Sequence, residues 1–440
     1  MNEFKIPKRV STALVNSLTA GVVPRVGLEH IAVGRKAEIQ ALLSDLDNTA
    51  QGAAAFKLIT GRYGSGKSFM LQTIRNFAMD RDFVVADSDL SPERRLVGTK
   101  GQGHATYREL MTNLATRTRP DGGALEMILQ KWITGISQKL MKENGLHPGD
   151  PALPRMVEES ILFAAGELEY MVHGFDFSLA VATYYRGYKE ADDQKTQAAL
   201  RWLRGEFSTK TEARQALGVS AIIDDESWYD YIKLWAEFVT RIGYRGLILF
   251  IDEGVNLYKI TNSIARTANY EKLLMMFNDT MQGKASHLAI FMGGTPQFVE
   301  DQRRGLYSYE ALRTRLIEGR FSSGGFKNTS GPVLKLEMLS NEEIFLLLQK
   351  LRALHSGHHG YQSKITDEEL VLFMETAVGR MGADALLTPR EVIRDFMDIQ
   401  DVLLQNPDVK FEELVKDHKV KPASKDPDED LTGFLTEFEL

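Results

Sequence analysis

The chain alternates between short, mostly apolar runs and long amphipathic stretches. Four runs have the apolar character expected of strands that are buried on both faces of a parallel sheet. They lie at residues 56–60, 83–86, 247–251 and 288–292. Amphipathic stretches separate these runs, which predicts helices between the strands and right-handed crossovers. The pattern therefore predicts an α/β fold built on a parallel sheet.

The stretch from about residue 101 to 240 is almost wholly helical in pattern. It is too long for a simple crossover between two strands, so it predicts an inserted helical subdomain. Its aromatic residues recur at helical spacing, which favours a packed core over a surface for stacking bases. These residues are Tyr184, Tyr185, Trp202, Trp228, Tyr229, Tyr231 and Trp235.

The remaining segments predict a domain order. A second helical stretch begins near Ser340, which with Glu343 has the spacing of a capping box, and another helix begins at Pro389. The acidic end of the chain contains Phe434 and Phe438, and is either a solvated tail or a hook for a partner protein. We expect an N-terminal helical arm at 1–30, an α/β core at 31–335 with the insertion, a helical lid at 336–418 and a disordered tail at 419–440.

A glycine-rich loop follows the first predicted strand and precedes a helix. Its sequence is Gly61-Arg62-Tyr63-Gly64-Ser65-Gly66-Lys67-Ser68-Phe69. In such a loop, backbone N–H groups surround phosphates, the lysine contacts the β- and γ-phosphates, and the Ser68 hydroxyl ligates Mg²⁺. A glycine-rich turn with an incidental lysine is the alternative. The strand and helix on either side favour a site for ATP and Mg²⁺.

Two acidic residues, Asp252 and Glu253, follow the third apolar run. A carboxylate at the carboxyl end of a parallel strand lies where α/β sheets bind ligands. We expect Asp252 to hold the Mg²⁺ shell and Glu253 to orient and polarise the attacking water. The second acid favours hydrolysis over nucleotide storage.

Composition narrows the class of protein. The 440 residues are 43% apolar and 26% charged, which is ordinary for a globular protein, and no apolar run approaches the roughly 18 residues that would cross a membrane. The chain has no cysteine, so disulfides and thiolate metal sites are excluded.

His355, His358 and His359 lie between glycines in a predicted loop, which only weakly suggests a metal site. We expect a cytoplasmic protein, and its net charge of −7 means that any DNA contact needs a local patch.

These motifs together resemble AAA+ ATPases of the origin-recognition/STAND branch. The resemblance rests on Val33-Gly34-Arg35, the glycine-rich loop, Asp252-Glu253, Thr295 and the lid that begins at Ser340. More narrowly, the chain resembles the ATP-binding proteins of BREX-type phage-defence clusters. It shares with them the loop, the strand at 83–86 followed by Asp89-Leu90-Ser91, and the long helical insert. The resemblance covers roughly residues 20–400.

The resemblance implies further site residues. Thr295 would be the first sensor of the γ-phosphate, and Arg390 the second. Val33-Gly34-Arg35 would border the adenine, although a simple turn at the start of a helix explains it equally well. The arginine finger, supplied to a neighbouring subunit, would be one of Arg313, Arg315 and Arg320, with Arg320 favoured because Arg320-Phe321 resembles the family's finger dipeptide. Arg303 and Arg304 would line a pore or contact DNA.

The resulting hypothesis is a Mg²⁺-dependent ATPase that forms a homo-oligomer and acts on double-stranded DNA or on other defence proteins. No membrane partner is expected. The rival hypothesis is a nucleotide-gated scaffold or regulator that hydrolyses little ATP and recruits a partner protein. Turnover that DNA stimulates would favour the first, and tight retention of ADP with negligible turnover would favour the second.

Overall fold

The computed structural model describes residues 6–317, 328–379 and 388–417 of the chain. The chain divides into two compact units. The first contains the described residues of Met1–Lys36, Gly61–Thr73 and Lys335–Leu440, and the second those of Ala37–Thr60 and Ile74–Leu334. Among the described residues, no helix is both long and apolar enough to span a bilayer.

A five-stranded sheet organises the second unit. The strands are β1 (Ala54–Thr60), β2 (Val84–Asp89), β3 (Leu247–Asp252), β4 (Leu288–Gly294) and β5 (Val333–Lys335). Their order across the sheet is β2-β3-β4-β1-β5, and the pairs β2–β3, β3–β4 and β4–β1 are parallel. The central strands β3 and β4 are buried almost throughout, as their apolar runs predict. The prediction of an α/β fold on a parallel sheet is confirmed.

Helices occupy most of the rest of the described chain. Numbered along the sequence, they are α1 (Lys8–Thr19), α2 (Leu28–Ile31), α3 (Lys36–Ala50), α4 (Lys67–Asp80), α5 (Gln102–Thr112), α6 (Leu125–Asn144), α7 (Leu153–Gly166), α8 (Gly174–Glu190), α9 (Asp193–Leu203), α10 (Lys210–Leu217), α11 (Trp228–Arg241), α12 (Val255–Tyr258), α13 (Ser263–Met281), α14 (Pro296–Glu300), α15 (Glu310–Leu316), α16 (Asn341–His359), α17 (Asp367–Gly379), α18 (Pro389–Gln405) and α19 (Phe411–Asp417).

Seven helices, α5 to α11, lie between β2 and β3, and their aromatic side chains form a core. Trp202, Trp228 and Trp235 are at most 1% exposed. Each of their polar tips has a partner: for example, the Trp235 indole N–H donates to the Tyr107 hydroxyl at 3.1 Å, and that hydroxyl donates to the Leu203 carbonyl at 2.7 Å. A buried aromatic residue with a satisfied polar group is a stable core residue. The aromatic spacing therefore marks a core, as predicted.

The first unit has its own apolar core, in which α1 contributes Leu14 and α16 and α18 contribute Leu348 and Phe396. Both predicted helix starts are confirmed. Ser340 and Glu343 form a reciprocal capping box at α16, and Thr388 and Glu391 form one at α18. These caps satisfy backbone N–H groups that the first turn of a helix leaves without partners.

Local hydrogen bonds set the starts of two further helices. The helix after the glycine-rich loop begins at Lys67, because the last turn of the loop already has helical hydrogen bonding. Helix α13 begins at Ser263, because the Asn262 side chain caps it by accepting from the Ala265 N–H at 2.9 Å. Caps of this kind carry no apolar periodicity.

A buried lysine in β1 holds the segment before β5. The Lys57 ammonium donates to the carbonyl oxygens of Thr329, Ser330 and Gly331 at 2.9, 3.1 and 2.6 Å. Its counter-ion, Asp45 on α3, is 3.7 Å away. Burial lowers the pKa of Lys57 and raises that of Asp45, and the attraction between the two opposes both shifts. The Lys57 ammonium therefore offsets the negative charge of three carbonyl oxygens and one carboxylate in a place that water hardly reaches.

We predict that Lys57→Met lowers the free energy of unfolding by about 3–5 kcal/mol, because three carbonyl oxygens lose their donor and the partly buried Asp45 carboxylate loses its counter-ion. Denaturant unfolding of the parent and the variant measures this difference. Lys139→Met, at a lysine on α6 whose side chain is 73% exposed, is the matched control and should change the value by less than about 0.5 kcal/mol. Equal, small effects of the two substitutions would contradict the structural role of Lys57.

Candidate phosphate-binding site

The glycine-rich loop begins directly after β1 and ends in the first turn of α4. Gly64 and Gly66 have φ angles of 80° and 91°, which other residues rarely adopt. The Lys67 ammonium donates to the carbonyl oxygens of Gly61 and Arg62 at 2.8 and 3.0 Å, so the loop curls around it. A fixed positive charge thus lies at the N-terminus of a helix, where anions bind favourably.

Two observations indicate that the loop suits a phosphate group. A Cβ atom built on Gly66 would meet no atom within 4 Å, so one side of the loop is open. The Ser65 hydroxyl is buried and makes no hydrogen bond within the described part of the chain. A buried hydroxyl without a partner is uncommon, and a ligand oxygen would satisfy it.

The other glycines of the loop are needed because its backbone packs closely on other segments of the first unit. A Cβ on Gly61 would overlap Ser65 Oγ and would lie 2.7 Å from the Leu336 carbonyl oxygen. A Cβ on Gly64 would lie 2.6 Å from the Cβ of Thr388, the cap of α18. The loop is therefore packed against the starts of the segments that contain α16 and α18.

The turn Val33-Gly34-Arg35 also contacts the loop. Gly34 and Arg35 both have left-handed backbones, with φ angles of 60° and 58°. The Arg35 guanidinium donates to the Ser65 carbonyl at 3.2 Å and to the Glu337 carbonyl. Arginine rarely adopts this conformation, so these contacts hold a strained backbone in place. The turn therefore lies against the glycine-rich loop, whereas its predicted contact with the adenine stays a prediction.

Arg390, in the first turn of α18, reaches the loop as well. Its guanidinium donates to the Tyr63 hydroxyl at 3.0 Å and lies 5.8 Å from the centre of that ring. Because Tyr63 is 46% exposed, the pair lies at the surface of the loop. The predicted second sensor is thus adjacent to the loop, whereas its contact with a γ-phosphate remains a prediction.

The predicted acids lie at the carboxyl edge of the sheet in the second unit. Asp252 ends β3, and the Glu253 N–H donates to its carboxylate at 2.8 Å. Thr60, the last residue of β1, pairs with Gly294, the last residue of β4. The chain continues from Thr60 into the glycine-rich loop and from Gly294 into Thr295. Parallel pairing therefore collects these strand ends at one edge.

Thr295 has a structural task at this edge. Its hydroxyl accepts from the Phe298 N–H at 3.2 Å and so caps α14. The hydroxyl proton can still be donated to another group, because capping uses only an oxygen lone pair. Its role as first sensor stays a prediction.

Asp89 is a further acid at this edge of the sheet, for which the sequence predicted no role. It ends β2 and pairs in register with Asp252. Burial, and then the charges of Asp252 and Asp87, raise the pKa of its carboxyl. An acid that follows a predicted apolar strand is a recognisable sign of a site residue. Its position beside Asp252 follows only from the order of the strands in the sheet.

The predicted finger arginines have partners within their own chain. Arg313 pairs with Glu310 one turn earlier on α15, at 3.0 Å. Arg315 donates to the Asn278 side chain at 3.0 Å. Arg320 lies outside the described residues. Their action on a neighbouring subunit remains a prediction. Arg304, proposed as a pore or DNA residue, has its guanidinium 5.4 Å from the centre of the Tyr258 ring.

Comparison with known proteins identifies the chain. The sequence profile of a family described as BREX system ATP-binding protein BrxC/D matches residues 6–419. The chain belongs to this BrxC/D family. No curated protein matches it. The resemblance to BREX ATP-binding proteins is confirmed, and the family description agrees with a nucleotide site at the glycine-rich loop.

Within this BrxC/D chain, Glu253 is strained. Its φ angle is 57°, in the left-handed region that costs a residue with a Cβ atom about 1–2 kcal/mol. The Asp252 carboxylate stabilises this conformation by accepting from the Glu253 N–H. Strain of this kind concentrates at functional sites. The strained backbone therefore agrees with the prediction that Glu253 is a site residue, and its role in catalysis stays a prediction.

We predict that Glu253→Gly raises the free energy of unfolding by up to about 1 kcal/mol, because glycine relieves the strain but makes the unfolded chain more flexible. Glu253→Gln is the matched control, since it keeps the strain and should stay within about 0.5 kcal/mol of the parent. Denaturant unfolding without nucleotide measures both. A glycine variant that is less stable than the glutamine variant by more than 1 kcal/mol would rule out the strain.

Proposed function

We propose that the protein is a Mg²⁺-dependent ATPase of the AAA+ type, which hydrolyses ATP to ADP and phosphate. The geometry of the glycine-rich loop carries this proposal. Its open side at Gly66, its buried Ser65 hydroxyl and the Lys67 ammonium suit a polyphosphate. The family description, which names an ATP-binding protein, supports ATP as the nucleotide.

Each motif has a proposed task. Lys67 offsets the charge of the β- and γ-phosphates, and the Ser68 hydroxyl and Asp252 carboxylate hold Mg²⁺. Glu253 orients and polarises the attacking water. The parallel register supports these assignments, because it ends β3 at the same edge of the sheet at which β1 leads into the loop.

Peripheral residues complete the proposed site. Thr295 donates its hydroxyl proton to the attacking water or to the γ-phosphate, and Arg390 reports on the γ-phosphate from the first turn of α18. Val33-Gly34-Arg35 borders the adenine. The contacts of Arg35 with Ser65 and of Arg390 with Tyr63 support these roles, because both bring the side chain to the phosphate loop.

The proposed domain organisation follows the AAA+ plan. We assign the α/β core to residues 31–335, its helical insertion to about 101–240 and the lid to 336–418. The arm at 1–30 and the acidic tail at 419–440 flank them. We propose that the chain assembles with further copies, that Arg313, Arg315 or Arg320 acts across the subunit boundary, and that hydrolysis serves phage defence by acting on double-stranded DNA or a partner complex.

The rival function, a nucleotide-gated scaffold or regulator with little turnover, also has support. Arg313 and Arg315 are held by Glu310 and Asn278 of their own chain. A finger arginine must leave such partners before it can reach a neighbouring phosphoryl group. This favours slow turnover by the isolated protein until assembly or a partner releases an arginine.

One experiment separates the two functions. ATP hydrolysis is measured with and without double-stranded DNA while light scattering follows the mass of the protein. Turnover that increases with DNA and with assembly supports the DNA-coupled ATPase. Tight nucleotide binding with negligible turnover at monomer mass supports the switch.

We predict that Lys67→Ala abolishes ATP binding, because the loop loses its fixed positive charge. Glu253→Gln should keep ATP binding and reduce kcat by about 10²–10⁴-fold, the usual contribution of a general base. Fluorescent nucleotide titration and phosphate release measure the two effects. Glu271→Gln, at an exposed glutamate on α13, is the matched control and should change neither quantity. Parental turnover by Glu253→Gln would show that another group polarises the water.

We predict that Arg390→Ala weakens ATP binding about 10-fold or more and ADP binding far less, because a charge-assisted hydrogen bond to the γ-phosphate contributes about 1.5–3 kcal/mol. Arg394→Ala, one turn later on α18 and 57% exposed, is the matched control and should leave both affinities unchanged. Competition titrations with ATP and ADP measure the ratio. Equal weakening of both nucleotides would mean that Arg390 only anchors Tyr63.

A further inference from the structure

Three side chains with metal-binding atoms meet in the first unit, at the C-terminal end of α16. His355 and His359 are four residues apart on α16, so they share one face of the helix. Asp401 reaches them from α18. A ligand atom from each of the three lies within 4.8 Å of the others, and the two imidazole rings are 4.5 Å apart. Neither the family description nor the proposed ATPase function explains this convergence.

His355 is arranged as metal-binding histidines are. It is fully buried, its Nε2 lies 2.9 Å from a carboxylate oxygen of Asp401, and its Nδ1 lies 2.8 Å from the Tyr361 hydroxyl. Histidines that bind metals use one ring nitrogen for the ion and give the other an oriented hydrogen bond. Tyr361 is in position to supply that second bond.

The distances suit a small ion. Zn²⁺ binds imidazole nitrogen and carboxylate oxygen at about 2.0–2.2 Å, and tetrahedral angles then separate neighbouring ligand atoms by about 3.3 Å. The 2.9 Å between His355 and Asp401 would widen by a few tenths of an ångström. His359 is exposed, so its ring can turn toward the ion, and solvent can reach the site past it.

The two ring nitrogens of His355 have separate tasks in such a site. A neutral imidazole is the form that binds metals. On binding, the ring proton is carried by Nδ1, which donates to the Tyr361 hydroxyl oxygen, and Nε2 is left with a lone pair for the ion.

His358 does not belong to this group, although the sequence placed it with His355 and His359. Its Nδ1 lies 3.0 Å from the Ser11 hydroxyl on α1, and the Lys8 ammonium lies 2.9 Å from its carbonyl oxygen. The prediction of a loop at the three histidines is also wrong, because they lie in the last two turns of α16. The third ligand, Asp401, is 42 residues away in the sequence.

We propose that His355, His359 and Asp401 bind a divalent transition metal of the Zn²⁺ class, with a fourth position open to water or to a ligand from another molecule. The ion links the C-terminal end of α16 to the C-terminal half of α18 and thereby stabilises the first unit. A site with three protein ligands holds its ion less tightly than a closed structural site, and exchanges it more readily. The proposal does not depend on ATP binding.

Titration of the full chain, free of any histidine tag, with Zn²⁺ against a chromophoric chelator tests the proposal. We expect one ion per chain, with binding weakened at least 10-fold by His359→Ala and by Asp401→Asn. His358→Ala is the matched control: it removes an adjacent imidazole on the same turn and should leave the affinity unchanged. Lys67→Ala should also leave it unchanged, which separates this result from any failure of the proposed ATPase function.

Two further measurements identify the site directly. Co²⁺ in place of Zn²⁺ should give the intense visible absorption of a tetrahedral ion in the parent and in His358→Ala, and lose it in His359→Ala. Zn²⁺ should raise the Tm of the parent and not that of His359→Ala. Because His359 is exposed, its substitution should not disturb folding, so misfolding would not account for the loss of the Zn²⁺ effect. Absence of saturable binding, or equal loss in His358→Ala and His359→Ala, would overturn the proposal.

Discussion

A parallel strand that is buried on both faces can present a functional side chain to a ligand only where it ends. That constraint governs this protein. The interiors of β3 and β4 are apolar and closed to solvent, so the chemistry of the sheet is confined to its carboxyl edge. The order β2-β3-β4-β1 sets Asp89 beside Asp252 and ends β1 beside β4. The positions of the proposed catalytic residues along this edge follow from the strand order.

Strain and close packing occur at segments of the predicted site. Arg35 and Glu253 have left-handed backbones although neither is a glycine. Gly61 and Gly64 contact neighbouring segments so closely that a methyl group would collide with them. Such features reduce stability and persist when the surrounding contacts hold them. They fall on motifs that the sequence also singled out.

The sequence predicted the features whose physics is local. The glycine-rich loop, the capping box at Ser340, the helix start at Pro389 and the apolar strands depend on residues a few positions apart, and each has a recognisable pattern. The pairing of Asp89 with Asp252, the contact of Arg390 with Tyr63 and the joining of Asp401 to His355 depend on residues far apart in the chain. No periodicity encodes such contacts, because tertiary packing decides them. The roles of Thr295 and of the finger arginines depend on a nucleotide and a second subunit, and contacts within one chain do not define them.

The position of the tryptophans has a practical consequence. All four, at positions 132, 202, 228 and 235, lie in the helices between β2 and β3, and none is more than 4% exposed. Ultraviolet emission from this protein therefore originates almost entirely in that helical region. A red shift on unfolding would report the loss of its aromatic core, whereas changes confined to the phosphate loop or to the histidines of α16 would need an added dye to become visible. The chain thus carries a spectroscopic probe for the one large region to which no chemistry has been assigned.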